Sequence, residues 1–420
     1  MTPFLPHTLL ALTAVLSLSI AALVPVPPSL DPFYNPPAGF EAEEPGTILR
    51  NRTVDPALFG LLPNGAEGYQ LLYRTSAIDG SAIADVTTVF VPLIGAMTDR
   101  FVAFQNPYDS SATICNPSYT YQLGSVQTDL ITTIIALAMQ LFIGRGAPDI
   151  VGVGYSGGSI ATGWAAQLQP TYAPELSIKG WSSGGTPANI TGVSVFVDNT
   201  AVSGFLPAAL NGLSRNSSYG ATLKPLIDSI ITPYGQAYLD FANVNCGPAD
   251  ILAFTGQSIF ETHFQTKGRD LLYDPAFQYV LADCLMGQRK NETPTAPVFM
   301  FHANNDEIIP YENATTLYNE WCDFGADVQF TTYGSGGHLT TEVVSLLAQL
   351  EFTASAFAGT VPGGCSMKTS LNNTLNPLDF ALDLEPIVVN LLTVLLNLGE
   401  QDANLLENIA GLHNTSGVQS

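Results

Sequence analysis

Three runs between residues 68 and 105 gather Val, Tyr and Phe at strand length: Gly68 to Thr75, Ile83 to Val91 and Arg100 to Gln105. Gly, Asp and Ser punctuate them. Helical spacing follows from Leu130 to Leu141 and closes near Gly144 and Gly146. The short apolar run Asp149 to Tyr155 then joins, without a spacer, a stretch from Ser156 to Leu168 that begins with small residues and continues at helical spacing. This pattern predicts strand, sharp turn, helix. Pro297 to His302 and Asp327 to Tyr333 read as two more strands, each followed by a polar loop. Strands alternating with helices predict an α/β class with a mostly parallel sheet.

From about Gly192 to Lys290 the pattern changes to several helical segments with no clear strand, and its first part, Val193 to Leu213, is almost uncharged. That span is too long for one crossover. It predicts a helical cap, 192–290, inserted into a core made of 22–191 and 291–420. The segment Val24 to Gly46, rich in Pro and aromatics, predicts a surface wrap without regular structure. The tail ends in a Leu-rich helical stretch, Ile387 to Leu406.

Composition sharpens the class. The 420 residues are 46% hydrophobic, enough for a large core, yet only 12% are charged, and 36 acidic residues against 13 basic give a net charge of -23. Long-range attraction to nucleic acid or anionic membranes is excluded on that balance, and a neutral substrate suits the surface. Thr8 to Leu23 is an apolar run, and Ser19-Ile20-Ala21 offers a cleavage site, so 1–21 reads as a secretory signal peptide. The run is shorter than the ~20 apolar residues a membrane anchor needs. Seven Asn-x-Ser/Thr sequons, at Asn51, Asn189, Asn216, Asn291, Asn313, Asn372 and Asn414, agree with an extracellular chain. Five cysteines, Cys115, Cys246, Cys284, Cys322 and Cys365, allow two disulfides and one thiol, and none has metal-site spacing.

Gly154-Tyr155-Ser156-Gly157-Gly158 matches the nucleophile elbow, in which a strained strand-to-helix turn exposes the serine hydroxyl. Such a serine needs a His base and an acid to orient it, in the chain order Ser, acid, His. His7 leaves with the signal, while His263 and His302 precede the favoured acid. Between His338 and His413, the first lies in a Gly-rich loop after a strand and the second near the terminus, so His338 is favoured. Asp306 stands in the loop after the strand ending at His302, ahead of Asp323 and Asp327 as candidate acid, and its neighbour Glu307 is easily confused with it.

Asp31-Pro-Phe-Tyr-Asn-Pro-Pro-Ala-Gly-Phe40, Pro45-Gly-Thr-Ile-Leu-Arg50, the elbow, His302-Ala-Asn-Asn-Asp306 and Gly336-Gly-His338 together resemble the fungal secretory lipases, over residues 31 to about 340. The resemblance implies an α/β-hydrolase fold with a helical lid and a Ser156, Asp306, His338 triad. It also implies an oxyanion hole built by Gly157 with Asp109, and disulfides pairing Cys115 with Cys284 and Cys322 with Cys365, with Cys246 left unpaired. The tail from about Leu382 has no match to the family's C-terminal flap. The expected activity is a secreted carboxylic ester hydrolase, a triacylglycerol lipase acting through an acyl-enzyme. The alternatives are a narrow-range esterase, such as a deacetylase of a secondary metabolite, and a non-catalytic secreted binding protein. No cofactor or metal is called for. The expected partner is a lipid or small-molecule ester, met at a lipid–water interface by a monomer, with no nucleic acid.

Overall fold

The computed structural model describes residues 25–56, 66–92, 99–123 and 148–371. The signal segment, the expected helix from Leu130 to Leu141, the Leu-rich tail, His413 and the sequons at Asn372 and Asn414 lie outside them.

The early strands form a sheet of their own. β1 (Ile48–Val54), β2 (Ala66–Ser76) and β3 (Ala82–Pro92) pair antiparallel in the order β1-β2-β3, with Gly68 opposite Phe90. The mostly parallel sheet begins only at β4 (Arg100–Gln105) and continues as β5 (Asp149–Tyr155), β6 (Ile178–Gly184), β7 (Val298–Ala303), β8 (Val328–Tyr333) and β9 (Ser366–Ser370). These lie side by side in chain order, all parallel. Hydrophobic patterning passes over β1, β6 and β9. β6 buries the polar Ser182 and Ser183, and β9 is an exposed edge with the sequence Ser-Met-Lys-Thr-Ser.

α1 (Gly157–Tyr172) leaves β5 directly. Six helices stand between β6 and β7: α2 (Ile190–Val197), α3 (Phe205–Leu213), α4 (Gly220–Ile230), α5 (Pro233–Ala242), α6 (Gly247–Phe254) and α7 (Pro275–Asp283). α8 (Tyr311–Phe324), α9 (His338–Val344) and α10 (Leu346–Ala358) follow, and one further short helix, Pro117–Thr120, lies between β4 and β5. None is long and apolar enough to cross a membrane.

Side chains of β7 alternate between two cores, as the pleat requires. Phe299 and Phe301 pack with Val151, Val153 and Tyr155 of β5 and Phe352 of α10, while Val298 and Met300 pack with Trp181, Phe330 and Trp321. The helical insertion has a third core, with Leu206, Leu223, Phe254, Phe264 and Val280 buried together. Each fully buried side chain of this size contributes roughly 1.5–3 kcal/mol. Val193 to Leu213 is not one helix. It breaks at Asp198, whose carboxylate accepts hydrogen bonds from Ser258 Oγ (2.5 Å) and the Ile259 amide (2.9 Å), and Asn199 follows at φ 60°.

The N-terminal wrap is pinned by its own motif. Arg52 Nη1 lies 2.6 Å from Asp31 Oδ2, and its guanidinium sits 4.1 Å above the centre of the buried Phe33 ring.

Two expectations are corrected. Cys115 bonds Cys246, not Cys284, while Cys322 does bond Cys365. Cys246 caps the start of α6, which packs on the loop carrying Cys115; Cys284 ends α7 with its Sγ 3.6 Å from Tyr219 Oη, and is the free thiol. Asn313 is buried in α8, where its Oδ1 accepts the Asn189 amide at 2.7 Å, so a glycan has no room there. Asn51, Asn216 and Asn291 are exposed, and Asn189 caps α2 by accepting from the Gly192 amide.

Candidate active site

Ser156 lies between the last residue of β5 and the first of α1, at φ 55°, ψ -126°. A non-glycine residue there stores about 1–3 kcal/mol and persists only where its surroundings hold it. Its amide donates to Gly184 O (2.9 Å), and its carbonyl accepts from Ser159 Oγ (2.7 Å). A Cβ on Gly158 would lie 2.0 Å from Gln105 O, and one on Gly157 2.0 Å from Asp109 Oδ1. Only glycines let β4 and its loop come so close. The first amides of α1 have no acceptor within the helix, and its dipole favours negative charge beside them.

Asp306 and His338 are brought together although 32 residues apart. His338 Nδ1 is 2.7 Å from Asp306 Oδ2, and both side chains are buried. Asp306 Oδ1 accepts from the amides of Ile308 (2.9 Å) and Ile309 (2.7 Å), which fixes the carboxylate plane. The imidazole is therefore held from its Nδ1 edge. His338 Nε2, at the opposite edge, is buried with no hydrogen-bond partner among the described residues. Ser156 Oγ makes no hydrogen bond to it, a contact that commonly tightens only around substrate.

Burial disfavours the charged form of both groups, but their mutual attraction outweighs it. Asp306 is held below the usual carboxylate range by His338 and His302 despite burial. For His338, burial alone would lower the pKa, yet Asp306, Glu307 and Glu342 raise it to about 9.

Four neighbours have contacts that sequence reasoning did not assign to them. Tyr155, the variable residue of the elbow, donates its hydroxyl to His338 O (2.6 Å) and packs its ring 4.9 Å from the imidazole. His302, set aside because it precedes the acid, is fully buried with Nε2 3.0 Å from Ile309 O and 3.3 Å from Asp306 Oδ2. Its position four residues before Asp306 was the only available signal. Glu307 accepts the His338 amide at 2.9 Å, and Glu342 is buried in α9. The rival acid Asp327 instead accepts the Gly364 amide, beside the start of β8.

Asp109 stands in the loop after β4 at φ 38°, its carboxylate against Gly157. A separate cavity of about 950 Å³ opens on the outer face of α1, lined by Ile160, Trp164, Leu168, Trp181, Tyr219 and Cys284, and it contains none of Ser156, Asp306 or His338.

The profile of the secretory lipase family matches residues 125–364. A secreted triacylglycerol lipase of Malassezia furfur is 36% identical over 392 residues, covering 83% of this chain and 80% of that protein. Lipase 6 of Candida albicans is 34% identical over 408 residues, covering 84% and 86%. The X-ray structure of Candida antarctica lipase A superposes with a TM-score of 0.75 at 27% identity, over 86% of this chain and 95% of that one. The fold is thus the α/β-hydrolase fold of those lipases, with a helical insertion. With more than half its length matched by the family profile and relatives above 30% identity across most of it, this chain belongs to the secretory lipase family.

Proposed function

We propose that this secreted ester hydrolase is a triacylglycerol lipase whose catalytic residues are Ser156, His338 and Asp306. The observation that carries the reading is the buried His338–Asp306 pair, with Nε2 left for a proton, in a chain whose elbow serine, Ser156, is held strained at the start of α1. Ser156 Oγ attacks the ester carbonyl carbon while His338 Nε2 takes its proton, and Asp306 fixes the tautomer and stabilises the imidazolium. The developing oxyanion is held by the amides of Gly157 and Asp109, donors that act chiefly in the transition state. His338 Nε2 then gives its proton to the departing alcohol. Water, deprotonated by the same nitrogen, releases the acid from the acyl-enzyme. The chemistry needs only protein groups.

The helical segment 192–290 serves in this reading as a cap over the site, carried by a monomer that works at a lipid–water interface. Exposed apolar side chains on that segment, Phe196, Val244 and Leu252, supply the surface such contact needs. Replacing Ser156 with Ala is expected to reduce hydrolysis of p-nitrophenyl esters by ~10⁶-fold; retention of a tenth of the activity rejects the nucleophile. Rates climbing from acetate towards palmitate agree with a lipase, while a maximum at acetate would assign a narrow esterase instead.

A further inference from the structure

The loop after β4 that carries Asp109 is fastened to the helical insertion by several side chains. Asp109 has a left-handed backbone, a conformation that a non-glycine residue keeps only when neighbours over-determine it. On the insertion side, Ser110 Oγ donates to Asn245 O (3.2 Å) and Ser111 Oγ to Ala242 O (2.8 Å). Asn211 Nδ2 donates to Ser111 Oγ (3.3 Å) and to Leu239 O (2.7 Å). Arg215 Nη2 donates both to Ser111 O (2.6 Å) and to Asn243 Oδ1 (3.1 Å), joining the loop to the end of α5 through one charged group. The Cys115–Cys246 disulfide closes the far end of the loop onto α6, whose first residue, Gly247, has its Cβ position 3.3 Å from Asp109 O.

We infer that Arg215, acting through Ser111, is a positioning residue for the oxyanion hole. The insertion sets the backbone at Asp109, so a segment that would otherwise be only a cover also tunes the acyl-transfer step. This rests on the Ser156 reading above. A hole displaced by loss of the clamp weakens contacts made to the oxyanion alone, so the defect falls on kcat and spares ground-state binding.

The test is steady-state hydrolysis of soluble p-nitrophenyl butyrate by the full-length enzyme, each variant assayed well below its own melting midpoint. Arg215→Ala should lower kcat about tenfold or more, short of the ~10²–10³ that follows removal of an oxyanion donor itself, with KM within about twofold. Arg215→Lys should recover part of kcat, since an ammonium reaches Ser111 O but cannot span to Asn243 as the planar fork does. Ser111→Ala, which keeps the carbonyl but removes the hydroxyl bridge, should show a smaller kcat defect of the same kind, and with Arg215→Lys it decides the matter if Arg215→Ala does not fold. Unchanged kcat in these variants, or a raised KM with kcat intact, overturns the inference. A Ser156→Ala variant that stays active would sink the underlying reading, whereas an inactive Ser156→Ala beside fully active clamp variants sinks the clamp alone.

Discussion

At the scale of single residues the site is governed by charge around a buried imidazole. In the proposed mechanism His338 must be neutral at Nε2 to accept the serine proton, so with its pKa raised to about 9 by Asp306, Glu307 and Glu342, kcat/KM is expected to rise with pH from neutral into the alkaline range. Glu307→Gln keeps an oxygen to accept the His338 amide but removes a negative charge. Its rising limb should move to lower pH than wild type, and a pH–rate profile with an unmoved limb would reject this account. The same raised pKa contributes stability that is fully present below pH 6.5, the ordinary imidazole value, and is lost as pH rises through about 9. Asp250 works in the opposite sense. Its carboxyl is buried on α6 with no hydrogen-bond partner for either oxygen among the described residues, and burial pushes its pKa up to about 7. The folded state thus holds a proton that the unfolded chain gives up near pH 4, and stability falls as pH rises from about 4 to 7. Asp250→Asn should melt near the wild-type temperature at pH 4 and clearly above it at pH 8, measured by thermal scans; equal midpoints at both pH values would refute this.

Among the elements, the helices of the insertion divide their apolar residues between a core and an outer face. The stretch 193–213 could have lined an acyl channel or filled the insertion's core, and the structure buries Val197, Val202, Leu206 and Leu210 in that core with Phe205 packed against them. Phe205→Asp should therefore lower the melting temperature and depress acetate and palmitate turnover alike, by placing a carboxylate beside apolar neighbours; a selective loss on palmitate with unchanged melting would restore the channel. The outer face of α6 behaves differently. Leu252 is 74% exposed there, while Gly247, Asp250 and Phe254 face inward. Leu252→Ser is expected to leave soluble butyrate turnover untouched and reduce hydrolysis of emulsified long-chain ester, because only the latter requires seating on lipid. Equal rates on the emulsion would argue that this face does not meet it.

Across the whole molecule, two disulfides and a core divided among three clusters tie the parts together. Each closed loop, spanning 131 and 43 residues, typically adds 2–5 kcal/mol by constraining the unfolded chain. Mass spectrometry of unreduced peptides should find Cys115 linked to Cys246 and Cys322 linked to Cys365. Native alkylation should then mark Cys284, which lines the cavity beside α1. A Cys115–Cys284 peptide would contradict the arrangement.

Local chemistry made part of this protein readable from its sequence. The elbow was legible because its strain, its flanking glycines and the strand and helix on either side are all consecutive in the chain. The strand-and-helix alternation and the helical insertion were legible because side-chain periodicity records which faces are buried. β6 and β9 were not, since one buries serines and the other is a polar edge, so neither shows the apolar signal of a strand. The separate antiparallel sheet went unforeseen because strand signals do not say which strands pair. The Cys115–Cys246 bond, the brace of Tyr155 on His338 and the clamp of Arg215 on Ser111 join residues 104 to 183 positions apart. No pattern along the chain encodes such contacts; the packing of α5 and α6 on the loop after β4, and of β5 beneath α9, decides them.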